Sequence, residues 1–498
     1  MCTTVDNKWS GIPWQSIRYI VFNIQCRIYG STKYISLKKT RNLQRLLFSS
    51  KSAKFLAIRQ TIGVDGRDYF VSSNLSKLLC RINFDPKVCE NSCFIVSNGV
   101  ELDIQLSLDQ VKQYLAKLAL EPEWESIFTT YDLNSFAARP GYCTHDAIQS
   151  ITQQIRTPPH QYVLKTSIIR FRDRVSRSYL VQSLQLSGFL LLKSQIEVWS
   201  YTGFLDKQAF PFFNSDRGAN LPSLLVNILL SKIPSLVQST EVDFSRFNGS
   251  KSVNPGFVRY GDIFVLSYPE LTGLIYMQKS LENFLFPIGL TMDPIGQTLT
   301  HMVGSHTHFK PGFDFLGINV RQQWRNGGYY SLILTPSFSN VKEHLRYIRK
   351  IVKSNKGSTA LRLIQILNPV IQGWCYYYRY TNSIDTYSFC DFRLRLILRR
   401  WMVYRHPMKS WQWLRRKYFT YLTKDTRNLI KVERFFADNF GSERIDDRYF
   451  STTFSFILSR HSDTRVLRWA KVDTRKSFFD TDYNYWRSRL YYYPSMEK

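Results

Sequence analysis

The chain contains 498 residues, of which 44% are hydrophobic and 15% are aromatic. A chain of this length and composition can form two or three domains with buried cores, which excludes an intrinsically disordered protein. Lys and Arg outnumber Asp and Glu by 67 to 38, a formal charge of +29. This excess predicts a polyanionic partner, with nucleic acid favoured over an anionic membrane surface.

Membrane insertion and export are not predicted. The longest uncharged apolar stretch, around Leu221 to Ser231, contains Pro222 and Asn227 and is too short to cross a bilayer. The opening residues, MCTTVDNKWSGIPW, have neither the pattern of a secretory signal nor that of a transit peptide. We expect a protein that works where it is made, or one whose presequence has been removed, with no membrane and no small-molecule partner.

The eight cysteines have no regular spacing, which is typical of free thiols in a reducing compartment. Cys89 and Cys93 form the only close pair. A zinc site would need a second pair of ligands nearby, and His301, His306 and His308 are far away in the sequence. The pattern favours a loop with two thiols, and no metal ion bound by the protein itself is predicted.

Two helical segments precede the central region. The segment RNLQRLLFSSKSAKFLAIRQ has helical periodicity, and its predicted buried face consists of Leu43, Leu46, Leu47, Phe55 and Ile58. It leads into a predicted turn, GVDG, at residues 63–66. The second segment, LSLDQVKQYLAKLALEPEWESIF, is predicted to stop near Pro122.

Between about Tyr162 and Arg325, short strand patterns alternate with helical ones, which predicts an α/β region. Within it, FVRYGDIFVLSY places two β-prone runs around Tyr260-Gly261-Asp262. This is the pattern of a β-hairpin that presents a carboxylate at its turn. From Thr335 onward helical patterns dominate, and we place a domain boundary near residue 335.

Positive charge is concentrated after that boundary. From residue 340 to the end, 32 Lys and Arg stand against 14 Asp and Glu. The stretch RLRLILRRWMVYRHPMKSWQWLRRK contains nine cations and no acid. We predict that these cations bind RNA phosphates: Arg393, Arg395, Arg399, Arg400, Arg405, Lys409, Arg415, Arg416 and Lys417.

Aromatic residues are interleaved with these cations, and two interpretations of them are open. Flat rings such as Trp411 and Trp413 could stack on unpaired bases. Leu396, Trp401 and Tyr404 fall near helical spacing, however, which favours an ordinary core role for the aromatic residues. The cations are different, because uncompensated charge at this density destabilises a protein unless a partner binds it.

The segments LNPVIQGWCYYYRY (367–380) and WMVYRHPMKSWQWLRRKYF (401–419) resemble the maturase or X domain of group II intron-encoded proteins. GFDFLGINVRQ (312–322) resembles the strand that follows the catalytic hairpin in the reverse transcriptase of this family. LALEPEWESIF with NSFAARPGYCTHDAI is similar to its fingers block, and LQRLLFSSKSAKFLAIRQ to its N-terminal extension. The matches occur in family order along most of the chain.

The resemblance implies an α/β (α+β) fold with right-hand-like reverse transcriptase fingers and palm, followed by an all-helical thumb and maturase X domain. It implies an N-terminal extension at residues 1–70, degenerate fingers and palm at 71–335, and the RNA-binding helical region at 336–498. The chain ends soon after YNYWRSRLYYYP, so we do not expect the endonuclease domain of mobile family members.

The sequence departs from the family pattern at the polymerase site, where three Asp carboxylates hold two divalent ions. The hairpin, Tyr-Ala-Asp-Asp in the family, has Ile263 after a vestigial Asp262, and YVLKTSI places Lys165 and Ser167 where the family has acids. Asp173 lies six residues beyond Ser167 and matches a separate family position. The family's Pro-Gln-Gly-Gly turn corresponds only to DRGA at residues 216–219, and its nucleotide-contacting basic segment has no clear counterpart.

Three hypotheses from different classes follow. The first is a maturase that assists the splicing of group II-type intron RNA, with no catalytic residue and no cofactor of its own, and with Mg²⁺ bound by the RNA. The second is an active RNA-directed DNA polymerase, which requires another acid such as Asp173 and which primer extension would reveal. The third is a general basic RNA-binding scaffold without preference for introns. Through the resemblance alone, we expect a plastid protein, with the mitochondrion as the alternative.

Overall fold

A computed structural model describes residues 12–62, 104–156, 162–169, 175–184, 190–201, 221–248, 254–302, 312–325, 329–423, 431–436, 457–480 and 482–492. Several predicted features lie outside these residues: the GVDG turn, Cys89, Cys93, Asp173, the DRGA segment, His306 and His308. The chain forms two compact units, Met1–Leu299 with Lys471–Lys498, and Thr300–Ala470, called unit 1 and unit 2 below.

Unit 1 begins with four helices around a shared apolar core. These are α1 (Trp14–Lys33), α2 (Leu37–Ser49), α3 (Lys51–Ile62) and α4 (Ile104–Tyr131). Of the predicted buried face, Leu43, Leu47 and Ile58 are fully buried, and Phe55 packs against the core. Leu46 is exposed, because the segment bends at Ser50 into two helices and the single periodicity does not continue.

Helix α4 does not stop at Pro122, and the predicted end was wrong. A proline inside a helix lacks the N–H that would bond to the carbonyl four residues earlier. That carbonyl, Leu118 O, instead accepts a hydrogen bond from Gln25 Nε2 of α1 at 2.9 Å. Leu120, Trp124 and Phe128 are buried on either side of the proline, so packing favours continuation of the helix.

The rest of unit 1 places helices around an antiparallel sheet. The helices are α5 (Thr144–Arg156), α6 (Arg177–Ser183), α7 (Leu190–Tyr201), α8 (Leu221–Leu229), α9 (Ile233–Asn248), α10 (Leu271–Leu285) and a 3₁₀ turn at Phe286–Ile288. The strands are β1 (Tyr162–Ile169), β2 (Gly256–Tyr260), β3 (Ile263–Tyr268) and β4 (Thr291–Met292), in the order β2-β3-β1-β4. The predicted hairpin is therefore present, and it forms one edge of this path through the sheet.

One segment of unit 1 meets a length and composition test for a membrane span. Leu221–Glu241 has a mean hydropathy of 1.3 over the tested window. However, 61% of that window is buried inside the protein. Leu221, Leu224 and Ile228 belong to the main apolar core of unit 1, which accounts for the hydropathy of the segment.

Two buried ion pairs connect the segments beside the hairpin. Arg139 Nη2 lies 2.7 Å from Glu125 Oε1. This ion pair joins the segments LALEPEWESIF and NSFAARPGYCTHDAI, which lie on either side of Asp132 in the sequence. Arg259, on β2, is completely buried and donates from Nη2 to Asp132 Oδ2 at 3.1 Å. It also donates from Nε to Ser135 Oγ and from Nη1 to Asn227 Oδ1, each at 2.9 Å. Burial lowers the pKa of Arg259, and the charge of Asp132 opposes that effect.

The end of the chain returns to unit 1 through α15 (Tyr483–Tyr492) and the segment before it. Phe478 packs edge-on against Phe22 of α1, with ring centroids 5.5 Å apart. Arg489 pairs with buried Asp146 of α5. These contacts pack the C-terminal segment against α1 and α5, which are far from it in sequence.

Unit 2 contains a three-stranded antiparallel sheet followed by helices. The strands are β6 (Phe313–Phe315), β7 (Ile318–Arg325) and β8 (Tyr329–Pro336), and β5 (Thr298–His301) spans the division between the units. The helices are α11 (Phe338–Ser354), α12 (Ala360–Tyr378), α13 (Ile384–Arg405) and α14 (Trp411–Tyr418). A 3₁₀ turn at His461–Asp463 lies near the end of the unit.

The prediction that residues 336–498 are all-helical was wrong. Strands β9 (Phe419–Thr423) and β10 (Lys431–Phe435) pair antiparallel, with Phe419 opposite Phe435. Their sequences, FTYLT and KVERF, contain aromatic and β-branched residues that pack well on a pleated surface. The chain is therefore mixed helix and sheet in both units.

Candidate nucleic-acid interface

The predicted cationic stretch forms the C-terminal half of α13 and all of α14 in unit 2. Leu394, Leu398 and Trp401 of α13 are buried, so the other side of this helix faces solvent. Helix α14 begins at the N-cap residue Ser410, whose hydroxyl accepts from Trp413 N at 3.3 Å. Three cations lie in its last turn, where they interact favourably with the helix dipole.

Seven of the nine predicted cations are exposed: Arg395, Arg399, Arg400, Lys409, Arg415, Arg416 and Lys417. Arg393 and Arg405 are half-buried. Within the described residues, Arg399, Arg400 and Arg416 form no ion pair with an acid. The fold thus places a dense positive charge at the surface of α13 and α14, which we call the basic surface.

The aromatic residues of this stretch divide into a core group and a surface group. Trp401 is buried and donates from Nε1 to Asn355 O at 3.0 Å, as expected for a core residue. Tyr404 is 61% exposed, unlike the core role that its helical spacing predicts. Arg399 lies 5.0 Å above the Trp411 ring, and Lys417 lies 5.0 Å above the Trp413 ring. Such cation–π contacts hold the cations close to flat surfaces.

Arg405 is engaged within the protein. Its guanidinium donates to the carbonyl of Ser358 and lies 5.0 Å above the Trp401 ring. The adjacent His406 forms a 2.9 Å hydrogen bond with Tyr418 Oη. These contacts connect the end of α13 with α14, so Arg405 positions the basic surface from inside, and its contact with phosphate stays a prediction.

Beneath the helices lies a buried chain of polar side chains that sequence reasoning missed. His461 Nδ1 lies 2.8 Å from Asp391 Oδ1, and His461 Nε2 lies 2.9 Å from His344 Nε2. A carboxylate only accepts hydrogen bonds, so the His461 ring donates to Asp391 from Nδ1. Burial, and then the charge of His461, lowers the pKa of His344 to about 3. No sequence pattern links these residues, because His461 is 70 positions from Asp391.

The low pKa of His344 predicts that acid destabilises the fold. The pKa of His344 lies near 3 in the folded protein, below the unfolded value of 6.5, so the unfolded chain binds more protons between these values. Acidification from pH 7 to pH 5 is therefore expected to lower the free energy of unfolding by about 2 kcal/mol through this residue. Urea unfolding at both pH values checks this, with His344→Gln losing that part of the pH dependence. Equal pH dependence in the variant would contradict it.

The hairpin places Asp262 at its exposed turn, with Gly261 at a φ of +66°. Strand β1 pairs with β3 so that Ser167 lies opposite Ile263, and Ile168 N donates to Asp262 O at 3.0 Å. The two positions that resemble lost acids are therefore neighbours across the sheet. Asp293, which sequence reasoning missed, donates from its backbone N to Ser167 O at 2.8 Å.

The described donors near the turn do not fit a two-ion polymerase site, which needs several carboxylates on adjoining strands. Asp262 has a hydroxyl and a hydrocarbon, Ser167 and Ile263, at the neighbouring positions of the ladder. Asp293 accepts from Ile295 N through Oδ1 at 2.9 Å. Among the residues that the structure describes, no group of three or more His, Cys, Asp or Glu side chains could hold a metal ion.

Two parts of the chain match known protein families, one near the N-terminus and one in the helical region of unit 2. The family described as the N-terminal domain of reverse transcriptase matches residues 9–68, and the group II intron, maturase-specific domain matches residues 341–419. The second match contains most of α11 and all of α12, α13 and α14, and therefore the basic surface.

Two relatives extend the similarity over most of the chain. Maturase-like protein 1 of Euglena longa is 22% identical over 78% of this chain and 82% of its own length. Maturase-like protein 1 of Euglena gracilis is 23% identical over 74% of this chain and 77% of its own length.

Among solved structures, telomerase from Candida albicans with a fragment of telomeric RNA is 13% identical and covers 64% of this chain and 62% of that chain. Its TM-score of 0.29 is too low to support an argument about the fold. The family resemblance read from the sequence is confirmed by the two domain matches and the Euglena relatives. The chain is thus similar to maturase-like proteins: residues 9–68 match the N-terminal domain of reverse transcriptase, and residues 341–419 match the group II intron, maturase-specific domain.

Proposed function

We propose that this protein binds group II-type intron RNA and assists its folding and splicing without polymerising DNA. The observation that carries the proposal is the exposed basic surface within the maturase-specific domain. Arg399, Arg400 and Arg416 have no acidic partner among the described residues, so phosphates are the partners that would neutralise them. The Euglena relatives with maturase-like names support the same role.

The protein acts on the RNA by differential binding. A ligand shifts a conformational equilibrium only as far as its affinities for the two states differ, so the protein must bind the native intron fold more tightly than misfolded ones. Cations at the basic surface reduce repulsion between phosphates of packed RNA helices. The RNA supplies the Mg²⁺ ions and performs the transesterification itself.

In this proposal residues 1–70 are the N-terminal extension, residues 71–335 are the remnant of the reverse transcriptase fingers and palm, and residues 336–498 are the thumb and X domain. The sheet with the hairpin serves as a scaffold, since Phe264, Val265 and Leu266 are buried and the positions beside Asp262 lack acids. We also propose a plastid location, from the resemblance to maturases with eroded polymerase motifs.

Replacing Asp262 separates a scaffold from a polymerase. We expect Asp262→Ala to leave intron binding unchanged and to alter the free energy of unfolding by no more than about 0.5 kcal/mol, because the side chain is exposed. Intron affinity and urea unfolding of the variant check this. Primer extension on an RNA template, with wild type and Asp262→Ala side by side, completes the test. DNA synthesis that depends on Asp262 would contradict the proposal.

Specificity for introns is tested by competition. We expect a group II intron RNA to compete for the protein at least about tenfold better than a structured RNA of equal length and charge, since only shape distinguishes them. Nitrocellulose filter binding at physiological salt measures both affinities. Equal competition by both RNAs would favour a general RNA-binding scaffold and contradict the maturase role.

A further inference from the structure

Unit 2 contains an open cavity of about 580 Å³ between α11 and α12, separate from the basic surface. Its walls include Glu343, His344 and Tyr347 of α11 and Trp374 and Tyr377 of α12. The volume lies in the range of cavities that hold small organic groups. Nothing in the proposed binding of phosphates by α13 and α14 uses this cavity.

The walls of the cavity are aromatic and firmly held. Trp374 stacks on His344 with ring centroids 4.5 Å apart and an interplanar angle of 10°. Tyr377 Oη donates to Leu316 O at 2.7 Å, and Tyr378 Oη accepts from Asn340 Nδ2 at 2.9 Å. Rings fixed in this way lose little conformational entropy when a flat ligand stacks on them.

Tyr347 completes the cavity from the solvent side. Its side chain is 53% exposed although it lines the cavity wall. An exposed aromatic ring beside anchored ones is the arrangement by which proteins stack unpaired bases of single-stranded RNA.

Helix α11 places several cations and a single carboxylate around the cavity. Helix α11 contains five cations, which are Lys342, Arg346, Arg349, Lys350 and Lys353. Glu343 is the only acid of the helix, it is exposed, and it lines the cavity. It forms no ion pair or hydrogen bond with another residue in the described part of the chain. The cations attract phosphates, while the carboxylate can only accept hydrogen bonds.

We propose that this cavity binds one unpaired guanine base of the RNA, stacked on the aromatic walls, with the Glu343 carboxylate accepting from the base. The Watson–Crick edge of guanine carries two adjacent N–H donors, N1–H and N2–H, which match the two oxygens of a carboxylate. Adenine and cytosine present one amino group beside an acceptor nitrogen, and the carboxylate would repel that acceptor. The proposal rests on the proposed RNA-binding function and adds a base-specific contact to it.

The test uses full-length protein and ten-nucleotide RNAs labelled with fluorescein. Nine positions are uridine, and one central position is guanine, adenine, cytosine or uridine. Fluorescence anisotropy gives the Kd for each. We expect wild type to bind the guanine RNA about tenfold more tightly than the adenine RNA, the discrimination of one bidentate contact.

Two exposed variants separate hydrogen bonding from stacking. Glu343→Gln is expected to abolish the preference for guanine while leaving the Kd for the all-uridine RNA unchanged. Tyr347→Ala is expected to weaken the guanine RNA roughly tenfold, because one stacking surface is lost. Tyr276→Ala, which removes a 47% exposed tyrosine from unit 1, serves as the matched control and should leave every Kd unchanged.

The outcomes distinguish this inference from the proposed function. Uniform binding of all four RNAs by wild type, or a guanine preference that survives Glu343→Gln, would overturn the guanine site. Arg399→Ala/Arg400→Ala tests the proposed function independently: if it keeps full intron affinity, the basic surface is not the binding surface. A guanine preference that persists in that double variant and disappears in Glu343→Gln would support the cavity even then.

Discussion

The double variant Arg399→Ala/Arg400→Ala is expected to bind intron RNA about 100-fold more weakly than wild type, roughly tenfold for each lost phosphate contact. Both side chains are exposed on α13 and neither has an acidic partner among the described residues, so their removal does not release a buried charge. The slope of log affinity against log salt should decrease by about 1.4 to 1.8, because each contact contributes about 0.7 to 0.9. Filter binding at salt concentrations between about 50 and 200 mM measures both the affinity and the slope.

A control variant that removes two cations elsewhere separates the effect of net charge from the loss of direct phosphate contacts. Lys232→Ala/Lys279→Ala also deletes two exposed cations, but from unit 1. It should change the affinity by less than about threefold, since it alters net charge without removing a direct contact. If the two double variants weaken binding equally, net charge rather than the basic surface explains the affinity.

Replacing Arg259, the buried arginine on strand β2 of the hairpin, is expected to have the largest effect on stability. Arg259→Met should lower the free energy of unfolding by about 3 to 5 kcal/mol, because Asp132 would stay buried without its charged partner. Asn227 Oδ1 and Ser135 Oγ would each lose a donor as well. Urea unfolding of the full-length protein at neutral pH checks this.

The matched control for that experiment is an arginine on the surface of a strand. Arg321 of β7 is exposed, and Arg321→Met should change the free energy of unfolding by no more than about 0.5 kcal/mol. Adding Asp132→Asn to Arg259→Met should restore part of the loss, because the orphaned charge is then removed. A loss below about 1 kcal/mol for Arg259→Met would show that the hairpin network does not stabilise unit 1.

The hairpin and its neighbouring strand could be predicted from sequence because local pattern determines them. Residues 257–268 consist of two β-prone runs on either side of Gly261, which the turn requires at positive φ. YVLKTSI is a third short β-prone run. The pairing of Ser167 with Ile263 then follows from the antiparallel ladder. The basic surface could also be predicted from the sequence, because the nine cations follow one another in a stretch that contains no acid.

Features that depend on distant partners could not be predicted. Helix α4 passes Pro122 because Gln25, 93 positions before Leu118, satisfies the freed carbonyl. The histidine chain is assembled from α11, α13 and the 3₁₀ turn at His461–Asp463, and each residue alone resembles an ordinary core position. Arg405 could not be told from its exposed neighbours, because its contact with Ser358 O joins residues 47 positions apart.

If the hairpin is a scaffold, splicing requires the basic surface and does not require Asp262. A splicing assay on candidate organellar group II introns near physiological magnesium tests it most directly, with wild type, Asp262→Ala and Arg399→Ala/Arg400→Ala compared at equal concentration. We predict that wild type and Asp262→Ala promote splicing to the same extent and that the double arginine variant does not. Loss of splicing in Asp262→Ala, with full activity in the arginine variant, would show that the hairpin and not the basic surface is the working site.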